Sequence, residues 1–298
     1  MNIHTLFDTF FQGQALDTLL QGIDLALEED GLDLTSEAIF SLEETLRATV
    51  VAKASGIIAG LPLIGLILEG AGPSGHEAEI DLVVDEGNRV GPGQEICHLQ
   101  GSAILLLKAE RVILNYLTHL SGIATMTDSF VQALHGSRTQ LLDTRKTLPG
   151  LRYPEKYAVR IGGGQNHRLN LAQMLMLKDN HIDQAGSIPA AVTKLRAKYH
   201  PCPPIEVECR TRDQVHEAVA AGVERIMLDN MDQEGIADCL ELIPAGIESE
   251  ISGGVSLDNL PKLGALGADF ISVGCLTNSA PVLDLSMRLR LDPDSGGL

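Results

Sequence analysis

The residues most able to do chemistry in this chain crowd into one stretch. Between Thr144 and Ile182 lie seven of its 22 lysines and arginines: Arg145, Lys146, Arg152, Lys156, Arg160, Arg168 and Lys178. Only Glu155 and Asp179 oppose them there, and His167 and His181 add further donors. The whole chain carries a formal net charge of −18, so this island is basic in acidic surroundings. A cleft that gathered it would attract a small polyanion. Arginine suits flat, two-point contact with carboxylates, and lysine acts as a point charge on phosphate. A solvated basic face held by surface ion pairs is the plainer alternative. Gly162, Gly163 and Gly164 directly precede Gln165, Asn166, His167 and Arg168. Such a glycine run lets backbone approach a ligand closely.

Acids follow downstream. Glu208 and Asp229 end successive strand-like runs. Two neighbouring carboxylates can hold Mg²⁺, which takes oxygen ligands, or can bind sugar hydroxyls. Pairing with Arg145, Arg168 or Lys178 is the structural alternative. Glu206 and Glu250 are weaker candidates. They stand two residues before Glu208 and Ser252, so strand alternation puts each pair on one face. Ser252-Gly253-Gly254 and Val273-Gly274-Cys275 close the last two runs. In barrels, such ends often supply a phosphate site from backbone amides. Cys275 has no neighbouring histidine to activate it, so it does not read as a nucleophile. His181 fits a structural or a site role equally, and Met174 and Met176 read as core.

These side chains need elements to hold them. Short apolar runs recur, each ending on a polar residue or glycine: TQLLD at Asp143, QMLMLK at Lys178, IEVE at Glu208, RIMLD at Asp229, IESEIS at Ser252 and FISVG at Gly274. Helical patterns lie between them, among them Thr211 to Ala221 ahead of Gly222, and Ser256 to Leu266. This is the texture of a parallel α/β barrel, whose active site lies at the C-terminal strand ends. A doubly wound open sheet would also place polar residues there. The chain up to about Leu117 reads as α+β. It has an amphipathic helix from Leu16 to Glu29, a strand from Leu46 to Lys53, and a turn-rich stretch from Asp85 to Gly93. The apolar run Gly56 to Leu68 reads as a buried strand and turn, too short to span a bilayer.

Composition narrows the function classes. At 298 residues and 44% hydrophobic, the chain can bury one large core or two smaller ones. Its acidity argues against nucleic acid as a partner. The five cysteines form no C-x-x-C pair, as expected for reduced thiols in a cytoplasmic protein. No basic segment followed by an apolar run opens the chain, so neither secretion nor a membrane partner is expected.

The motifs DTRKTLPGLR (Asp143 to Arg152), KYAV (Lys156 to Val159), GGGQNHR (Gly162 to Arg168) and LKDNHI (Leu177 to Ile182) resemble the central block of the quinolinate phosphoribosyltransferases. These enzymes are also called carboxylating nicotinate-nucleotide pyrophosphorylases. The resemblance extends through ERVILNYLTHLSGIAT (Glu110 to Thr125), EVE (Glu206 to Glu208), IMLDN (Ile226 to Asn230), SGGV and FISVG. It implies an α/β fold in two domains. An N-terminal open-faced α/β sandwich would span residues 1–117 and a seven-stranded TIM-like barrel residues 118–278, with residues 279–298 packing back on the first domain. The implied reaction joins quinolinate to phosphoribosyl pyrophosphate (PRPP) and releases CO₂, giving nicotinate mononucleotide and pyrophosphate. It would need Mg²⁺ and no organic cofactor. A homo-oligomer is implied, a dimer at least, with Arg111 donated across the interface. Thr144, Arg145, Lys146, His167, Arg168 and Lys178 would bind the quinolinate and phosphoribosyl groups. Glu208 and Asp229 would face the ribose and Mg²⁺, and with Lys146 would be the catalytic residues. Ser252, Gly253, Gly254, Val273, Gly274 and Cys275 would hold phosphate. The chain departs from the family pattern at Cys209, Ile251 and Asn278. Two rivals stay open: a paralogous transferase with another acceptor such as nicotinate, and a silent barrel that only binds phosphorylated ligands.

Overall fold

A computed structural model of the chain describes residues 3–41, 43–72 and 78–291. It falls into two units. The first comprises residues 1–128, 147–163 and 279–298, and the second residues 129–146 and 164–278.

The first unit is built on an antiparallel sheet. Its strands are β1 (Thr45–Ala52), β3 (Glu79–Leu82), β5 (Glu95–Ser102) and β12 (Leu285–Leu291), in the order β12-β1-β5-β3. Two short strands, β2 (Gly56–Ile57) and β4 (Arg89–Val90), pair separately. The helix Gln14–Asp30 buries Ala15, Leu19, Ile23 and Leu27, a stripe at four-residue spacing. It stops at Gly31, whose φ of 68° suits glycine. Asp33 then caps the helix Leu34–Ile39 by accepting a hydrogen bond from Ser36 N at 3.0 Å. The apolar run expected to be strand and turn is only partly so. Gly56–Ile57 is strand, but Leu63–Ala71 is a helix opened by Pro62. A run apolar on every side carries no period, so helix and strand look alike in it.

The domain boundary expected at 117 falls inside a 31-residue helix, Ala103–Ala133. The division between units comes instead after Asp128. Residues 147–163 also group with the first unit rather than with the barrel. The reason is apolar: on the helix Arg152–Ile161, Tyr157 is fully buried and packs against Phe7, Phe10 and Phe11. Of the C-terminal segment, residues 285–291 pair with β1, and 292–298 lie outside the described residues.

The second unit is a parallel barrel. Its strands are β6 (Gln140–Leu142), β7 (Leu175–Leu177), β8 (Ile205–Cys209), β9 (Arg225–Asp229), β10 (Glu248–Ser252) and β11 (Phe270–Ser272). They are ordered β6-β11-β10-β9-β8-β7, so the first strand pairs with the last. That closure excludes the doubly wound alternative, in which strand order reverses from a central strand. The seventh strand position is a single bridge. Gln165 N donates to Leu141 O at 2.8 Å, and Asp143 N donates to Gln165 O at 3.1 Å.

The connecting helices start where the residue types dictate. Thr211 caps Arg212–Ala221 by accepting from Gln214 N, and Gly222 ends it at φ 64°. The expected helix Ser256–Leu266 shortens to Leu260–Gly264, with Pro261 in its first turn. Among the described residues no helix is long and apolar enough to cross a membrane.

Candidate active site

All six strand ends open toward one cavity of about 460 Å³, which lies wholly within the second unit. It is lined by Thr144, Arg145, Lys146, His167, Arg168, Met176, Lys178, Glu208, Met227, Asp229, Ser252 and Ser272. Nine of these were expected from sequence. Met176 was expected in the core but is a half-buried wall residue, and Met227 and Ser272 were not singled out. Ser272 lies two residues before Gly274, and its hydroxyl donates to Ser252 Oγ at 3.0 Å.

Beneath the basic wall, Asp143 is completely buried at the end of β6. Its Oδ1 accepts from His167 N at 2.8 Å and its Oδ2 from Asn166 Nδ2 at 2.6 Å. This carboxylate thus ties the segment carrying His167 and Arg168 to β6. Arg168 is steered further by its own side chain, as Nη1 donates to Met174 O at 2.9 Å. Burial, and then the charge of Arg145, loosen Arg168's hold on its proton. Arg145 Nε is buried with no hydrogen-bond acceptor among the described residues. Two guanidinium groups near enough to repel, one with an idle buried donor, form an arrangement that an anion would relieve.

The carboxylate side is already paired. Lys178 Nζ donates to Glu208 Oε2. Arg210, which the sequence reading passed over, reaches Glu208 Oε1 at 3.2 Å, Asp229 Oδ2 at 3.4 Å and Asp179 Oδ2 at 3.0 Å. Glu208 and Asp229 end adjacent strands and offer only oxygen donors, a set that suits a hard cation such as Mg²⁺.

His167 faces the other way. Its Nε2 lies 2.9 Å from Glu206 and 3.4 Å from Glu250 in the barrel interior, and its Nδ1 accepts Arg168 N–H at 2.7 Å. Both ring nitrogens are therefore directed at protein groups. Burial opposes the imidazolium, but the bonds to Glu206 and Glu250 outweigh it and push His167 up to about 9. The Nε2 proton is the one directed at Glu206; the second proton of an imidazolium would sit on Nδ1, in place of the bond from Arg168 N–H. Burial, and next the charge of Glu250, raise Glu206 correspondingly. Arg225 Nη1 holds Glu250 from below at 3.3 Å and pairs with Glu248 through Nη2 at 2.7 Å. Glu206 and Glu250, the weaker candidates, thus serve as buried partners of a site-lining residue.

The glycines divide by role. A side chain at Gly274 would strike Lys146 Cδ at 2.9 Å, so this glycine lets Lys146 lie across the end of β11. A Cβ at Gly253 would fall 2.3 Å from Asn230 Oδ1, and both Gly253 (φ 90°) and Gly254 (φ 62°) need the left-handed region. Within the run at 162–164, Gly162 serves packing. A Cβ at Gly162 would meet Ala124 O at 2.4 Å, so this residue permits close packing against the long helix. Val273 is buried and donates from its backbone to Leu142 O at 2.9 Å. Cys275 is half-buried, and burial raises its thiol. Neither lines the cavity, and neither do Gly253, Gly254 and Gly274.

The basic island does not act as one cluster. Arg152, Lys156 and Arg160 belong to the first unit, and Lys156 is fully buried there. Arg111 is exposed on the long helix of that unit. His181 is structural in its described contacts: its Nδ1 accepts from Lys178 N at 3.1 Å at the start of the helix Asp179–Ala185.

Comparison with known proteins gives this geometry a context. Residues 123–288 match the model of the quinolinate phosphoribosyl transferase C-terminal domain, and residues 33–121 match that of the N-terminal domain. A Bacillus subtilis protein named probable nicotinate-nucleotide pyrophosphorylase [carboxylating] is 44% identical, covering 90% of this chain and 92% of its own length. The Mycobacterium leprae nicotinate-nucleotide pyrophosphorylase [carboxylating] is 39% identical over 92% of this chain and 98% of its own. The crystal structure of NadC from Streptococcus pyogenes aligns with a TM-score of 0.86 at 39% identity, covering 91% of this chain and 96% of that one.

Proposed function

Because the chain belongs to the quinolinate phosphoribosyltransferase family, we propose that its barrel-mouth cavity joins quinolinate to PRPP with loss of CO₂. The products are nicotinate mononucleotide and pyrophosphate. The observation that carries this reading is the crowding of Arg145 and Arg168 around an idle buried donor.

Quinolinate bears two carboxylates on adjacent ring carbons. Arg145 and Arg168 bind them in the plane of the ring, and Lys178 adds a point charge. Held so, the ring nitrogen faces the anomeric carbon of the ribose, and this fixed approach supplies much of the rate. His167 acts from beneath by anchoring the backbone of Arg168. Glu208 and Asp229 accept the ribose hydroxyls and lower the energy of positive charge developing at the anomeric carbon. Mg²⁺, when bound with PRPP, would neutralise the departing pyrophosphate from the side of these two acids. Lys146, lying across Gly274, meets the same leaving group from the side of β11. Thr144 and Ser252 complete the polar rim. Once the N-glycosidic bond forms, the ring nitrogen is positively charged. That charge stabilises the carbanion left on the adjacent carbon as CO₂ departs, and a proton from solvent then fills the carbon, so no organic cofactor is required.

Arg111 and the oligomer belong to the same proposal. An exposed arginine on a long helix can serve a second subunit's cavity, as the resemblance implies. Arg111→Ala and Lys146→Ala enzymes, each inactive alone, regain partial activity on mixing if subunits exchange. Rescue absent despite demonstrated exchange places Arg111 with its own chain.

The function is tested by incubating the protein with PRPP and either quinolinate or nicotinate. Nicotinate mononucleotide and CO₂ should form with quinolinate and depend on added Mg²⁺. Product from nicotinate alone would transfer the assignment to a paralogous transferase, and ligand binding without product would indicate a silent barrel.

A further inference from the structure

Arg210 has no part in the reaction as set out, yet it occupies the centre of the acidic side. It directly follows β8, and its side chain is half exposed. Its guanidinium spans carboxylates from three elements: Asp179 at the start of a helix, Glu208 at the end of β8 and Asp229 at the end of β9. Lys178 takes the remaining oxygen of Glu208. Asn230 Nδ2 stands 3.2 Å from both oxygens of Asp229. Each oxygen of Glu208 therefore already has a cationic partner, and Asp229 shares one.

We propose that Arg210 is a resident counter-cation, holding the place on Glu208 and Asp229 that a divalent cation takes and leaving both acids when that cation binds. The inference rests on the reading of these two acids as the face for ribose and Mg²⁺. Three features favour exchange over a permanent pairing. A half-exposed guanidinium is rehydrated at little cost, because exposed ion pairs are individually weak. Asp179 is itself well exposed and lies on the solvent side, so Arg210 can stay paired with it while releasing the other two. Lys178, by contrast, makes its salt bridge to Glu208 alone among the described residues and belongs to the substrate-binding wall. The consequence concerns order of arrival. Free Mg²⁺ meets a site that is already neutralised, whereas Mg²⁺ on PRPP brings phosphate oxygens of its own and needs fewer from the protein. Arg210 thus biases the enzyme toward taking the metal together with its substrate.

The test uses Mn²⁺ alone as a spectroscopic stand-in for Mg²⁺, titrated into the full-length, substrate-free protein and followed by electron paramagnetic resonance of the unbound ion. Arg210→Gln should bind one Mn²⁺ about tenfold or more tightly than the original chain, since a full charge is removed within contact distance. Adding Asp229→Asn to Arg210→Gln should abolish the gain. Arg212→Gln removes the same charge from a surface pair with Asp238, 3.9 Å apart, and controls for net charge; it should leave Mn²⁺ affinity unchanged. Equal affinity in Arg210→Gln and the original chain overturns the proposal, as does an equal gain in Arg212→Gln. Quinolinate turnover measured on the same preparations separates the two levels. If the original chain turns over quinolinate but the variants bind Mn²⁺ alike, the counter-cation role alone fails. If quinolinate is not turned over at all, the functional reading fails first.

Discussion

The barrel handles charge in opposite ways at its mouth and in its interior, although the same strands supply both. On β8, Glu208 meets the cavity and exchangeable cations, while Glu206, two residues earlier, is fully buried. On β10, Ser252 lines the cavity while Glu250 is buried against Arg225 and His167. Residues two apart share a strand face, so a closed barrel stacks them as layers. The upper layer borders the cavity, and its charges can be traded for a ligand's. The lower layer is sealed: His167, Glu206, Glu250 and Arg225 compensate one another, with Glu248 as the outer partner of Arg225. Function should therefore break at the mouth without unfolding, and stability should break below.

The largest effect is expected at the mouth. Arg145→Ala should lower kcat/KM for quinolinate by about a thousandfold, the scale seen when a positioned charge-stabilising donor is lost. The urea midpoint should stay close to the original, and a comparable fall in that midpoint would mean that Arg145 is structural. In the interior, Glu250→Ala leaves Arg225 without its buried partner. It should cost about 3–5 kcal/mol in urea unfolding. Replacing both, as Glu250→Gln with Arg225→Met, should recover part of the loss. Additive losses in the double variant would show that the two do not act as a pair.

A smaller effect concerns pH. His167 is raised from 6.5 to about 9 in the fold. A group whose folded value is raised contributes stability that is complete below its unfolded value and disappears as pH rises through the folded one. Stability should therefore decline between about pH 6.5 and 9, by about 3 kcal/mol. His167→Gln should flatten that decline, and an unchanged slope would remove the proton from this cluster. The mildest change is Gly253→Ala, which would push a methyl group into Asn230 beside Asp229. KM for PRPP should rise several-fold with kcat less affected, whereas a change confined to quinolinate KM would detach this glycine from the phosphoribosyl side.

How much of this was legible in the sequence follows the same division. The strand ends were readable because each apolar run stops at a polar residue, and Asp143, Lys178, Glu208, Asp229 and Ser252 lie at or next to the observed ends. Thr211 and Gly222 marked a helix because their chemistry is local. What stayed hidden depends on distant partners. The chain order of Glu206, Glu250, Arg225 and His167 says nothing of their meeting, although the two-residue offset did place the two acids on the same faces as Glu208 and Ser252. Arg210 carried no signal, because its meaning comes from acids on three elements. Charge counting overreached at Arg152, Lys156 and Arg160, since nearness in sequence ignores which unit a helix joins. The helix at Leu63–Ala71 was missed because an all-apolar run lacks a readable period.

In the proposed function, Arg145 and Arg168 seat an aromatic dicarboxylate. Calorimetric titration of quinolinate into the full chain and into Arg145→Ala tests it most directly. One site is expected in the original protein, with binding lost or weakened at least a hundredfold in the variant and an unchanged melting temperature. Equal quinolinate affinity in the two proteins would contradict it.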